Sequence, residues 1–217
     1  MKSVLSIFTA AFSSTFFIAF LSFASALPNG QESSQQLANL LKKVDTFSAD
    51  FQQTLVSSQG NIMQRVSGHL KAKRPGLFYW YTAPPLEQKL ISDGDQVWLY
   101  DPDLEQVTIQ TLSAQFSQTP ALLLSGEVKD IERQYDVAEV TSENQNRLFK
   151  LRPKSPDSLF DSLYLSFNRE QQLRLMQLKD SLGQQTTLEF SNQQINQPVK
   201  DEIFVFDIPE GIDVIRQ

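Results

Sequence analysis

Cysteine is missing from all 217 residues. That excludes a disulfide framework, so the chain must be stabilised by its core alone. It also excludes self-lipidation, because a lipoprotein needs Cys at its cleavage point to carry the acyl anchor. Imidazole is scarce too: His69 is the single histidine, and a His-based triad would have one possible base. No Gly-x-Ser-x-Gly elbow, His-Glu-x-x-His, P-loop or Rossmann fingerprint occurs. Positive charge is in the minority, with 19 Lys and Arg against 25 Asp and Glu and a formal charge of −6. A mildly acidic chain without a Lys/Arg block is a poor candidate for nucleic acid or anionic lipid surfaces. Long apolar runs are absent after Phe23, so no transmembrane helix is expected in the remainder.

The one apolar run lies at the start. Met1–Lys2 is a minimal positive region, Val4–Phe23 is rich in Phe, Ala, Ile and Leu, and Ala24-Ser25-Ala26 is a small-x-small cleavage site. Residues 1–26 therefore read as a secretory signal peptide that is cleaved. An uncleaved anchor is the competing reading, and Ser13, Ser14 and Thr15 weaken it by diluting the run. Cleavage takes 26 of the 217 residues and leaves 191, with a formal charge of −7 once Lys2 is gone. That length suits one domain, residues 27–217, with chain enough to enclose a core or cavity.

Two periods organise this domain. Leu37, Leu40, Leu41 and Val44 fall at i, i+3, i+4 and i+7, one stripe of a helix that Ser33-x-x-Gln36 is placed to cap. From Phe47 the period drops to 2: Phe47, Ala49 and Phe51 alternate with polar residues, and so do Val66, Gly68, Leu70 and Ala72. Leu77–Tyr81 is an aromatic strand with large side chains on both faces. Asp93-Gly94-Asp95 marks a hairpin and Asp101-Pro102-Asp103 the following turn. Later strands are expected near 133–140, 147–152, 159–168, 173–179, 184–191 and 203–207. About eleven or twelve strands result, and a sheet of that size must curl or close. Thr119-Pro120 opens a short apolar helix over Ala121–Leu124. Together with the first helix it could cover the open side.

Little of this invites chemistry. His69 lies in an alternating strand and reads as solvent-facing. Asp93, Asp95, Asp101 and Asp103 lack calcium-loop spacing and read as turn caps. No metal site, cofactor or catalytic residue is expected.

The densest unusual stretch is Lys73-Arg74-Pro75-Gly76-Leu77-Phe78-Tyr79-Trp80. Pro75 fixes its own φ and pushes Arg74 into an extended conformation at a strand entrance. This stretch belongs to an ordered series. It comprises Phe47-x-Ala49-x-Phe51-Gln52, Gly68-x-Leu70-x-x-Lys73-Arg74-Pro75-x-x-Phe78-x-Trp80, Ser92-Asp93-Gly94-x-x-x-Trp98-x-Tyr100-Asp101-Pro102, Leu104-Glu105-Gln106 and Thr119-Pro120-x-x-Leu123-Leu124. In that order, and with Pro209-x-Gly211 near the end, the series closely resembles the LolA family of outer-membrane lipoprotein carriers.

The resemblance implies a mainly β fold: an incomplete, strongly curved antiparallel β-barrel of about 11 strands with a helical lid over an apolar cavity. It implies a periplasmic carrier in a Gram-negative bacterium, a monomer that is not an enzyme and needs no cofactor. Its partners would be acylated lipoproteins, an inner-membrane lipoprotein-releasing ABC transporter and an outer-membrane receptor, with no nucleic acid. It also implies roles for residues. Arg74 would tether the lid, and Phe78 would contact the transporter. Phe51, Leu70, Trp80, Trp98, Leu122, Leu123 and Leu124 would line or adjoin the acyl-chain cavity, as strand parity suggests. The same half-barrel could serve a glycolipid or wall lipid instead. A hydrolase on this scaffold lacks an evident nucleophile and base.

Overall fold

The alternation read from the sequence becomes the wall of a curled sheet. The computed structural model describes residues 30–112, 123–126, 128–140, 146–156 and 158–217. The signal peptide, Thr119-Pro120 and Leu122 lie outside them. Helix α1 (Gly30–Leu41) leads into β1 (Thr46–Val56) and β2 (Ile62–Lys73). A meander follows through β3 (Leu77–Thr82), β4 (Gln88–Asp93), β5 (Gln96–Asp101) and β6 (Gln106–Thr111). Helix α2 (Val128–Gln134) precedes β7 (Tyr135–Val140), β8 (Arg147–Pro153), β9 (Phe160–Phe167), β10 (Leu173–Asp180) and β11 (Gln185–Ile195). A 3-10 turn at Asp201–Phe204 and the short β12 (Asp213–Arg216) complete the order.

The twelve strands among the described residues form one sheet in the order β12-β6-β5-β4-β3-β2-β1-β11-β10-β9-β8-β7. The ladders are antiparallel except at one edge, where β12 runs parallel to β6. The sheet is open, since β7 and β12 end it without pairing to each other. Sequence-adjacent hairpins build each half, and the long-range pair β1·β11 joins the halves.

One face carries the core. Phe47, Ala49, Phe51, Leu70, Ala72, Phe78 and Trp80 from the first half meet Phe149, Leu165, Phe167, Met176 and Phe190 from the second in a single buried cluster. Leu37, Ala38, Leu40 and Leu41 of α1 join it, and so do Leu123, Leu124, Val128 and Ile131. Helices α1 and α2 and the 123–126 segment thus cover the inner face. Among the described residues no helix is long and apolar enough to cross a membrane.

Three local expectations need correction. Ser33 does not cap α1, which starts at Gly30; it is fully buried, and its Oγ accepts the Glu139 N–H at 3.0 Å. The hydroxyl satisfies a donor on the free edge of β7, so a residue that reads as a cap ties α1 to the sheet. The strand expected from 133 is preceded by α2. Val128 and Ile131, spaced i and i+3, keep its buried face toward the core, and Tyr135 continues that burial at the start of β7. The strand expected over 203–207 is instead a 3-10 turn and an extended stretch.

That carboxy-terminal stretch covers the outer face of β3–β6. Its 3-10 turn packs on β3 and β4, Phe206 meets the Tyr100 ring at 5.5 Å, and Lys73 pairs with Asp201. Ile91, Val107, Ile109 and Phe204 are buried there, apart from the interior cluster. Phe204 is 1 % exposed and anchors the strap. Phe204→Ala is expected to lower unfolding free energy by about 3 kcal/mol or more, the cost of an emptied aromatic site. Urea titration checks this; a loss under about 1 kcal/mol would show that the strap does not depend on Phe204.

Candidate functional site

The site is built around Arg74 at the end of β2, where the chain turns into β3. Its backbone N–H donates to the Asp45 carbonyl at 2.9 Å, which fixes the residue against the connection from α1 to β1. The guanidinium then makes two further bonds to carbonyls of covering segments. Nε donates to Val44 O at 3.0 Å, just past α1, and Nη2 donates to Leu123 O at 3.4 Å. One side chain of the wall therefore holds two segments of the cover. Burial draws its pKa down from the ordinary guanidinium value, and nearby Asp45 partly opposes that. The group stays charged at any physiological pH.

A second contact was not expected. The Gly76 N–H donates to Ser125 O at 2.8 Å, so the same turn grips the 123–126 segment twice. Gly76 has φ +76°, and a Cβ there would meet the Gly94 Cα at 3.0 Å and Leu112 at 3.1 Å. Only glycine permits this turn to stack on the Asp93-Gly94-Asp95 turn and still present its N–H. The resemblance drew attention to Arg74; the positive φ that a Pro-Gly turn invites was the sequence signal for Gly76.

Among the described residues, the space beside Arg74 is small. A cavity of about 20 Å³ is lined by Leu41, Val44, Phe47, Arg74, Leu124, Phe167, Gln171, Leu173 and Ile195. That is room for about one water.

Of the residues expected here, Phe51, Leu70, Trp80, Leu123 and Leu124 fall in the interior cluster. Phe51 stacks on Trp80 with ring centroids 3.9 Å apart, and Trp80 Nε1 donates to Thr82 Oγ1 at 3.1 Å. Leu122 lies outside the described residues. Trp98 does not join the interior. It alternates with the buried Val97 of the cluster and faces outward, with Ile91 and Ile109 as cross-strand neighbours. Parity misleads there because the strap makes the outer face of β4–β6 apolar as well. Phe78 is 0 % exposed, so as the molecule stands its ring offers no surface to a partner.

The candidates for chemistry take structural places. His69 stands on the outer face beside Tyr79 and Tyr81, with ring centroids at 5.7 and 5.1 Å. Asp93 Oδ1 accepts the N–H groups of Asp95 and Gln96 at 2.9 and 2.8 Å, and Asp101 Oδ1 accepts that of Leu104 at 3.1 Å. These are turn caps. Among the described residues no group of three His, Cys, Asp or Glu gathers to hold a metal.

Residues 42–207 match the family described as outer membrane lipoprotein carrier protein LolA. The chain belongs to the LolA family. An outer-membrane lipoprotein carrier protein of Hahella chejuensis is 55 % identical over 201 residues, covering 92 % of this chain and 95 % of that one. Proteins of the same description from Pseudomonas putida and Pseudomonas aeruginosa are 47 % identical over 190 residues and 44 % over 206. They cover 87 % and 94 % of this chain, and 90 % and 98 % of their own lengths. The LolA match spans Arg74, the Pro75-Gly76 turn, Leu123 and Leu124, and it ends within the strap.

Proposed function

We propose that this LolA-family protein is a periplasmic carrier of lipoproteins. It takes up the acyl chains of lipoproteins released from the inner membrane by an ABC transporter and delivers them to an outer-membrane receptor. Residues 1–26 export it into the aqueous gap that its cargo cannot cross alone. It works as a monomer, by binding and release without a chemical step. The observation that carries this reading is a charged side chain, Arg74, holding two separate covering segments over an apolar interior.

Energetics favour such a device. Each acyl CH₂ contributes about 0.8 kcal/mol on burial, so one long chain fully enclosed would be held too tightly to release. Bonds from Arg74 to Val44 and Leu123 must break before cargo enters, and that cost is subtracted from cargo affinity. Leu123 and Leu124 then act as a movable apolar wall. Phe78 lies beneath that cover, so a transporter would meet it only while the carrier is open.

Depletion of the protein tests the reading in cells. Outer-membrane lipoproteins should then accumulate at the inner membrane, and their normal sorting would reject it. Mass spectrometry of the cargo recovered with the carrier supplies a second check. Acylated protein is expected; lipid without protein would shift the assignment to a glycolipid or wall-lipid carrier.

A further inference from the structure

Arg74 holds one donor in reserve. Nε and Nη2 are bonded to the cover, while Nη1 is buried and has no hydrogen-bond partner among the described residues. An unpaired donor on a buried charge is costly, and such a group calls for a physical explanation. Arg74 also lines the small cavity, whose other walls are apolar apart from Gln171. Asp45 already accompanies the guanidinium charge, so the missing partner is an acceptor and need not be an anion.

Opening makes the shortage worse. When Val44 and Leu123 move away, Nε and Nη2 lose their carbonyls too. Hydrocarbon offers no replacement, and a guanidinium buried beneath it would be left uncompensated. Acyl chains, however, are joined to their carrier molecule through an ester or amide carbonyl. That carbonyl sits at the polar end of each chain, at the edge of the apolar part. Arg74 occupies the corresponding position on the protein, at the end of β2 and the margin of the interior cluster.

We infer that Arg74 is a carbonyl-binding site for the cargo: its Nη1, joined on opening by Nε and Nη2, donates to the ester or amide carbonyl of a bound acyl chain. Lid carbonyls and lipid carbonyls then exchange on one guanidinium. Closing and loading become mutually exclusive, and the cargo is registered by its head as well as by its tail.

The inference rests on the carrier reading, and one experiment separates the two. Binding of dioctanoylglycerol, of its dioctyl ether analogue and of octanoic acid to the purified protein is measured by displacement of a fluorescent apolar probe. The ester should bind tighter than the ether by about tenfold, the worth of one hydrogen bond to a charged donor. In Arg74→Leu that ratio should fall to near one. Equal binding of ester and ether to the unmodified protein would overturn the inference and leave the carrier reading standing. Failure of both glycerol lipids to bind would overturn the carrier reading itself. Octanoic acid binding tighter than the ester would assign the site to carboxylates and overturn the neutral-carbonyl inference. A ¹³C-labelled ester carbonyl gives an independent readout: its infrared stretch should shift to lower frequency on binding, and an unshifted band rejects the bond directly.

Discussion

Arg74→Leu is expected to produce a carrier that takes up acylated lipoprotein readily and passes it on poorly. Leucine keeps apolar volume near that of the arginine stem but removes the bonds to Val44 O and Leu123 O. A hydrogen bond from a charged donor contributes about 1.5–3 kcal/mol. Against that, burying the guanidinium has its own cost, visible in its lowered pKa and in the unpaired Nη1. A net loss of about 2 kcal/mol from the closed state shifts the closed-to-open ratio about thirty-fold. The backbone bond of residue 74 to Asp45 and the Gly76 bond to Ser125 survive the substitution, so the turn and the fold should persist. Two measurements check this. Uptake of an apolar fluorescent dye should rise, because the interior opens more often. Transfer of bound lipoprotein to receptor-bearing outer membranes should slow. Arg74→Lys should fall between, since one ammonium cannot reach two carbonyls as a planar fork does. Unchanged dye uptake together with normal transfer would remove the tether from the mechanism.

How much of this was legible follows from where the information lies. The sheet was legible because its inner face is lined by large apolar residues at period 2, and Phe47-x-Ala49-x-Phe51 lands in the core as spaced. Hairpin turns were legible because Asp93 and Asp101 cap them through local bonds. Trp98 was not: its strand has covers on both faces, and alternation cannot say which face is inside. Ser33 was misread because a serine before an apolar stripe has the same local pattern whether it caps its helix or accepts from a strand far along the chain. Helix α2 was missed because seven residues give barely two turns of periodicity. At the site, Arg74 was visible as a residue, but its acceptors are main-chain carbonyls of Val44 and Leu123. Backbone acceptors carry no signature in the sequence. For the same reason the parallel pairing of β12 with β6 had no local sign.

Gly68→Ala should damage the wall severely. Gly68 pairs with Phe51 on one side and Thr82 on the other. A Cβ built there would lie 1.8 Å from the Tyr81 carbonyl oxygen and 2.8 Å from Phe51 Cζ. The first contact is with main chain and cannot be relieved by a rotamer change. It arises because β3 pairs only with the second half of β2: the ladder stops at Gly68–Thr82, and Ala83 donates to Ser67 O at 2.8 Å where the strands part. Glycine permits that close approach of backbone to backbone. Just above it Phe51 stacks on Trp80, so displaced chain would disturb the buried interior cluster. Overpacking usually costs 1–3 kcal/mol; with a carbonyl in the way, a loss of about 4 kcal/mol or more is expected, a large share of a typical domain's stability. Chemical denaturation and yield of folded protein measure it. Adding Phe51→Leu clears the side-chain contact but not the carbonyl, so the double variant should recover little. Full recovery would show that the ring alone reserves the space. A Gly68→Ala protein within about 1 kcal/mol of the parent would show that β2 and β3 can separate at this point without cost, and their close approach would then owe nothing to glycine.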